Sequence, residues 1–200
     1  MSPAPHRMLL ERERELAVLD DLIDGASEGR AAICVVEGPA GIGKTRLIAE
    51  ARRRASEREL SVLAASGNEL EREFAFGVVA QLFEQAVADE PANLLRGATA
   101  PAAAILRSSP GPDPDDAASG PSFASLHGLY WLTIRLSEQR PLMLAIDDLQ
   151  WCDAASLRFL AYLRPRLEGA PIVVVCGRRS LGPDQEEAAD AAVLATVVDD

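Results

Sequence analysis

The sequence predicts an α/β fold in which helices cover both faces of a parallel sheet. Short apolar runs of strand length alternate with longer segments whose apolar residues recur at helical spacing. Such runs are typical of strands buried on both sides, and they cover residues 31–36, 60–65, 142–146 and 172–176. Strands that are separated by helices pair through right-handed crossovers, so the four strands are expected to be parallel.

Helical periodicity fills the segments between and around these runs. The predicted helices cover residues 10–23, 45–56, 74–88, 123–137, 154–163 and 185–198. The pair Asp24-Gly25 is a stop signal for the first helix. Asp153 is a suitable N-cap for the fifth, because its side chain can accept a hydrogen bond from a first-turn amide.

One domain spanning residues 1–200 is expected, because a chain of 200 residues suits a single hydrophobic core. Segment 108–121 differs from the rest, with four prolines, two glycines, three aspartates and no large apolar side chain. Such a segment cannot bury enough surface to offset the entropy of ordering it. It is therefore predicted to be a flexible internal loop.

The composition excludes several classes of protein. Apolar residues make up 48% of the chain and charged residues 26%, which is typical of a globular domain. The net charge of −11 argues against binding nucleic acid through bulk positive charge. No apolar run approaches the ~18–20 residues of a membrane span, and the first residues lack a signal-peptide core. Three cysteines without metal-ligand spacing suit a reducing compartment, so a cytoplasmic protein without membrane contact is expected.

A glycine-rich loop follows the first predicted strand. It reads Gly38-Pro39-Ala40-Gly41-Ile42-Gly43-Lys44-Thr45. This order matches the phosphate-binding pattern of glycine, four residues, glycine, lysine and threonine. Lys44 is the one lysine among 20 basic residues, the other 19 being arginines. A single lysine in such a chain indicates a position that needs a compact point charge rather than a planar fork.

The chemistry of this pattern is phosphate binding. Gly38 permits a tight turn out of the strand, and Gly41 and Gly43 let backbone N–H groups close around phosphate oxygens. The helix that follows adds the positive end of its dipole. Lys44 is predicted to bridge the β- and γ-phosphates, and the Thr45 hydroxyl to ligate Mg²⁺. The alternative, a glycine-rich turn that matches by chance, is disfavoured by the strand before it and the helix after it.

Charged residues also follow two other predicted strands. Asp147 closes the third strand, where a carboxylate can hold Mg²⁺ through its water shell. Asp148 could orient or deprotonate an attacking water, or instead cap the turn at 149–151. After the fourth strand, Arg178 or Arg179 could reach a γ-phosphate, or either could be a solvated surface residue. Ligands of parallel sheets bind at the carboxyl ends of strands, so these residues and the loop predict one site.

Five segments form a linked pattern along the chain. They are LLERERELAVL, GPAGIGKT, NELEREFAFGVVAQLFEQA, SFASLHGLYWLTIRLSEQRPLMLAIDDLQWCDAASLRFL and VVVCGRR. Together they resemble the ATPase module of large ATP-binding LuxR-type transcriptional regulators, which are STAND proteins related to AAA+ and ORC-like domains. The resemblance covers nearly the whole chain, and the combination is more specific than the glycine-rich loop alone.

The resemblance implies a P-loop NTPase three-layer sandwich with sheet order 5-1-4-3-2, in which the Arg178 strand lies between the loop strand and the Asp147 strand. It implies ATP and Mg²⁺ as ligands, with Arg12 and Arg46 joining residues 38–45 at the nucleotide. No fifth strand, helical arm, sensor repeat or DNA-binding helix-turn-helix is found in the sequence. We therefore expect the N-terminal part of a longer regulator, or a truncated product. DNA contact is expected only through a domain outside this chain, and ATP is expected to favour self-association.

The function that this resemblance implies is an ATP-binding regulatory switch with slow hydrolysis to ADP and phosphate. Asp148 would position the attacking water, and Arg178 would sense the γ-phosphate. Asp148 is shorter than the glutamate of most AAA+ enzymes, which favours slow turnover. Glu11 stands where the family usually has a glycine, directly before Arg12. Two alternatives are a small-molecule P-loop kinase and an interaction module that binds nucleotide without hydrolysing it.

Overall fold

The computed structural model describes residues 12–89, 94–107 and 122–180. Within these ranges the sheet has four strands: β1 Ala32–Gly38, β2 Ser61–Ser66, β3 Leu142–Asp147 and β4 Ile172–Arg179. Every pairing is parallel, and the strand order is β1-β4-β3-β2. The predicted α/β fold with a parallel sheet is confirmed, and β4 lies between the loop strand and the strand of Asp147.

Six α-helices accompany this sheet in the described part of the chain. They are α1 Glu13–Ser27, α2 Lys44–Glu57, α3 Gly77–Asp89, α4 Ala102–Arg107, α5 Phe123–Gln139 and α6 Ala154–Leu163. The helices predicted from the sequence agree with the observed α2, α5 and α6 to within a few residues. The predicted loop at 108–121 and the predicted helix at 185–198 lie outside the described residues.

The predicted end of the first helix at Asp24-Gly25 is wrong. Helix α1 continues to Ser27, and Gly29, with φ 80°, provides the left-handed residue that ends it. The Arg30 amide donates to the Gly25 carbonyl at 2.9 Å, which closes the helix end. Gly25 itself is buried within the helix, so its presence reflects packing and not termination.

Two apolar clusters, one on each face of the sheet, make the molecule a three-layer sandwich. Helices α1 and α2 cover one face, where the buried residues include Ile23, Leu47, Ala51, Met143 and Val175. Helices α3, α5 and α6 cover the other face, where they include Phe83, Leu129, Phe159, Leu144 and Val174. Neighbouring strand residues such as Met143 and Leu144 belong to opposite clusters, as the alternation of side chains along a strand requires.

Ion pairs join α1 to α2 at the surface. Arg58 contacts both Asp20 and Asp24 at 2.8 Å, and Arg54 also pairs with Asp20. On α2 itself, hydrogen bonds from Arg53 and Arg54 lower the pKa of Glu50 to about 2. Each exposed pair stabilises a protein by only about 0–1 kcal/mol. These pairs join the second half of α1 to the C-terminal end of α2.

One buried carboxylate caps two helices at once. Asp153 is 2% exposed, and it is the N-cap of α6, where it accepts from the Ser156 amide at 2.8 Å. The same carboxylate accepts from the amides of Phe76 and Val78, at 2.8 and 3.2 Å, at the start of α3. The predicted cap is confirmed, and the contact with α3 is additional. Helix α3 begins at Gly77 and not at residue 74, because Phe76 has a left-handed φ of 62°.

Candidate nucleotide-binding site

Three strand ends meet at one edge of the sheet. In the register of β1 and β4, Gly38 lies opposite Arg179, and in that of β3 and β4, Ile146 lies opposite Cys176. The glycine-rich loop, the two aspartates and the two arginines therefore leave the sheet at the same edge. The sequence predicted this grouping, because each of these groups follows a buried strand.

The loop conformation depends on its glycines. Gly41 and Gly43 have φ of 77° and 96°, in the left-handed region that other residues rarely adopt. Gly43 is also the N-cap of α2, and it has no side chain that could occupy the helix amides. The first turn of α2 carries no acidic residue. The positive end of this helix is thus open to an anionic ligand.

The single lysine folds back over its own loop. Lys44 Nζ donates to the carbonyl of Gly38 at 2.9 Å and to that of Pro39 at 3.0 Å. The ammonium group therefore lies above the exit from β1. The side chains of Thr45 and Arg46, which follow in the first turn of α2, are exposed.

Arg12 contacts the loop from the start of α1. Its guanidinium donates to the Ile42 carbonyl at 2.8 Å and to the Glu15 carboxylate at 2.6 Å. The first bond joins residues 30 positions apart in the chain. The structure thus brings Arg12 to the backbone of the glycine-rich loop, the region where the resemblance places the nucleotide.

Asp147 sits over a glycine of the neighbouring strand. A Cβ atom added to Gly177 would lie 2.4 Å from Asp147 Oδ1 and 2.6 Å from Ile48 Cδ1, a side-chain atom of α2. Only a glycine leaves room for the carboxylate here. The same oxygen accepts from the Asp148 amide at 2.9 Å. Gly177 was not singled out from the sequence, although a glycine between an apolar strand and two arginines is a signal for such close contact.

Asp148 turns away from the strand direction with left-handed backbone angles, φ 50° and ψ 49°. Its side chain makes no capping bond to the 149–151 turn, the alternative role considered from the sequence. Instead its Oδ1 accepts from Gln150 Nε2 at 2.8 Å. Gly67 follows β2 directly. A Cβ atom added to Gly67 would lie 2.4 Å from the carbonyl oxygen of Asp148, so only a glycine fits at this position. Gln150 and Gly67 are further site residues that the sequence alone did not indicate.

The two arginines at the end of β4 differ in position. Side chains alternate along the strand, so Arg179 shares the sheet face of Gly177 and α2, and Arg178 shares the opposite face with Cys176. Arg178 is half-buried and Arg179 is exposed. On this geometry Arg179 lies on the face of Asp147, whereas the resemblance gives the sensing role to Arg178.

The oxygen donors at this edge fit a magnesium ion whose other ligands are mainly phosphate oxygens and water. Thr45 supplies a hydroxyl and Asp147 a carboxylate, which are hard oxygen ligands of the kind that Mg²⁺ prefers. The described residues contain no group of three or more His, Cys, Asp or Glu arranged to hold a metal. Mg²⁺ bound with a nucleotide needs only one or two protein carboxylates, so two donors suffice.

Solved structures with the same fold are only distantly related in sequence. The Aeropyrum pernix ORC2 protein, in ADPNP–ADP complexes, aligns with 87% of this chain and 42% of its own, at a TM-score of 0.54 and 19% identity. Cdc6p from Pyrobaculum aerophilum aligns with 98% of this chain and 46% of its own, at a TM-score of 0.57 and 16% identity. This chain thus spans less than half of either structure.

A curated relative and a protein family also match. An uncharacterised protein of Rhizobium meliloti (strain 1021) is 40% identical over 55 residues, which are 28% of this chain and 5% of the relative. None of the described helices is both long and apolar enough to cross a membrane. Residues 8–175 match the AAA ATPase domain family, and this range contains the loop, both aspartates and the first half of β4. The chain belongs to the AAA ATPase domain family.

Proposed function

We propose that this chain is the ATP-binding switch domain of a LuxR-type transcriptional regulator, and that it hydrolyses ATP slowly. The observation that supports this proposal most directly is the conformation of the glycine-rich loop. Gly43 leaves the first amides of α2 without a side-chain cap, and the Lys44 ammonium lies over the same loop. The five-segment sequence pattern supports the regulator class. The loop conformation and the matched family support the nucleotide.

Binding is assigned to the loop and its neighbours. The amides of residues 41–45 and the Lys44 ammonium would hold the β- and γ-phosphates, with Arg46 and Arg12 at the rim of the site. Thr45 and Asp147 would hold Mg²⁺, directly or through water, and the ion would neutralise charge on the phosphates. The bonds from Lys44 to the loop carbonyls keep the amine preorganised before the ligand arrives. When the nucleotide binds, Lys44 must exchange these bonds for bonds to phosphate oxygens.

Hydrolysis is assigned to Asp148, which would orient a water for in-line attack on the γ-phosphate. An arginine at the end of β4 would sense that phosphate; Arg178 is the residue that the resemblance indicates, and Arg179 is the one on the face of Asp147. Asp148 is short, and one of its oxygens is engaged by Gln150. The short side chain favours slow turnover, so the binding energy would serve to maintain a conformation.

The regulatory role extends beyond this chain. DNA contact is assigned to a separate C-terminal domain, and ATP binding is proposed to favour self-association in the cytoplasm. Phosphate release with and without small-molecule acceptors separates a switch ATPase from a P-loop kinase. Nucleotide binding without any release would identify a non-hydrolysing module.

The test of nucleotide binding is Lys44→Ala, followed by isothermal titration with ATP and Mg²⁺. We expect at least a hundredfold weaker binding, because removing a charge-assisted bond to a phosphate costs about 3 kcal/mol. Lys44→Arg should also bind poorly, since a planar fork cannot replace the point charge. Arg52→Ala, which removes an exposed charge from the same helix, should keep the affinity within about twofold.

The single lysine also permits a direct footprint. Lys44 is the one side-chain amine in the sequence, so ATP should protect it from an amine-reactive acylating reagent in mass spectrometry. Unchanged affinity in both Lys44 variants, or acylation of Lys44 at the same rate with and without saturating ATP, would exclude the proposed site.

A further inference from the structure

Gln150 connects the second aspartate to the end of β4. This side chain is 8% exposed and lies in the 3-10 turn Leu149–Trp151, directly after Asp148. Its Nε2 donates to Asp148 Oδ1 at 2.8 Å, and its Oε1 accepts from the Arg179 amide at 2.9 Å. Both ends of one buried amide are therefore engaged, one by a carboxylate and the other by a strand 29 residues further along the chain.

The assignment of the amide ends follows from the partners. A carboxylate only accepts when ionised and a backbone N–H only donates, so Gln150 must present its nitrogen to Asp148 and its oxygen to Arg179. Rotating the amide by half a turn would oppose like groups at both ends. Gln150 thus links the Asp148 carboxylate to the end of β4 through two hydrogen bonds.

The backbone of Asp148 is constrained as well. Its left-handed conformation directs the chain away from β3, and its carbonyl packs closely against Gly67. Gln150 holds Oδ1, which leaves Oδ2 for a water. We propose that Gln150 is a positioning residue for ATP hydrolysis, which couples the water-orienting carboxylate of Asp148 to the end of β4. This inference rests on the proposed function, in which Asp148 orients the water.

The coupling has a direction. Residues 178 and 179 end β4, the strand that carries the proposed phosphate-sensing arginine. A displacement of this strand end when phosphate binds or leaves moves the Arg179 amide, and Gln150 transmits the movement to Asp148. Hydrolysis then depends on a contact that the nucleotide itself makes with the end of β4. ATP is therefore retained until the end of β4 is in place, as a slow switch requires.

The test is a double-mutant cycle in the full chain, read by single-turnover phosphate release. Gln150→Met keeps the length of the side chain and removes both hydrogen bonds; it should slow release about tenfold and leave the ATP dissociation constant within about twofold. In the Asp148→Asn background the same substitution should slow release less than twofold, because Gln150 acts through Asp148. Equal losses in both backgrounds, or a tenfold weaker affinity, would overturn the proposal.

A matched control removes a similar bond elsewhere. Gln81 Oε1 accepts from the Ser66 amide at 2.6 Å, at the end of β2. Gln81→Met therefore loses a strand-end hydrogen bond without touching Asp148, and it should keep the rate of phosphate release within about twofold. A tenfold loss in this variant as well would mean that any loosened strand end slows release, against the specific role of Gln150.

A second measurement does not depend on hydrolysis. In ¹⁵N–¹H spectra of the free protein, Asp148→Asn should shift the Arg179 amide resonance, because it weakens the bond at the other end of Gln150. In the Gln150→Met background this shift should disappear. A shift that persists without Gln150, or no shift in either background, would refute the coupling. Absence of ATP binding by the parent chain would refute the proposed function and leave this spectroscopic result to decide the coupling alone.

Discussion

At the residue scale, the two adjacent aspartates have different neighbours and should have separable roles. Asp147 lies over Gly177 on the α2 face, and Asp148 is turned towards Gln150. Asp147→Asn should weaken ATP binding about tenfold in Mg²⁺ and little in EDTA. Asp148→Asn should keep the affinity and slow phosphate release about a hundredfold. Titration and single-turnover assays of both variants test this, and an equal loss of affinity in both would show that the roles are wrongly assigned.

Gly177 gives a second prediction at this scale. Gly177→Ala places a methyl group within 2.4 Å of Asp147 Oδ1, so the carboxylate must move. We expect the Mg²⁺-dependent part of the ATP affinity to fall about tenfold, as in Asp147→Asn. Titrations in Mg²⁺ and in EDTA provide the comparison.

The neighbouring Cys176→Ala is the control for Gly177→Ala. It shortens a buried side chain on the opposite sheet face and should not change the dependence on Mg²⁺. If the ATP affinity of the Gly177→Ala variant falls equally in Mg²⁺ and in EDTA, then Ile48 and α2 have moved instead of Asp147.

At the scale of elements, α3 and α6 are joined through Asp153. Asp153→Ala would leave three amides, two of them buried, without their acceptor, and we expect it to lower the free energy of unfolding by about 3 kcal/mol. Asp153→Asn keeps one acceptor oxygen and should cost less. Ser122→Ala, which removes the one-helix cap of α5, is the matched control and should cost about 1 kcal/mol. Urea denaturation gives all three values, and equal losses for Ser122→Ala and Asp153→Ala would argue against the double cap.

At the scale of the whole molecule, a ligand that binds the folded state stabilises it by mass action. With ATP at 100 times its dissociation constant, the stabilisation should be about 2.7 kcal/mol. For a domain of this size that corresponds to a rise in melting temperature of about 5–10 °C. Thermal melts with ATP and Mg²⁺ measure this, with Lys44→Ala as the variant that should show no rise. A similar rise in Lys44→Ala would mean that ATP stabilises the chain from another site.

The sequence by itself determined the fold class and predicted where the candidate site lies. Uninterrupted apolar runs predict buried parallel strands. The glycine-rich loop consists of contiguous residues, so its φ angles and its chemistry depend on the local sequence. The grouping of loop, aspartates and arginines followed from one topological rule, since all of them come directly after strands.

Only the tertiary structure decided which residues support those groups. Gln150 bonds to a strand 29 positions away, Gly177 accommodates Asp147, and Gly67 accommodates the Asp148 carbonyl. Contacts between distant segments leave no periodic signal in a single sequence. The same reason explains the misplaced helix limits: Gly25 is buried by packing, and the start of α3 is fixed by a carboxylate from α6. Local chemistry locates the site, and the packing of strands and helices sets its geometry.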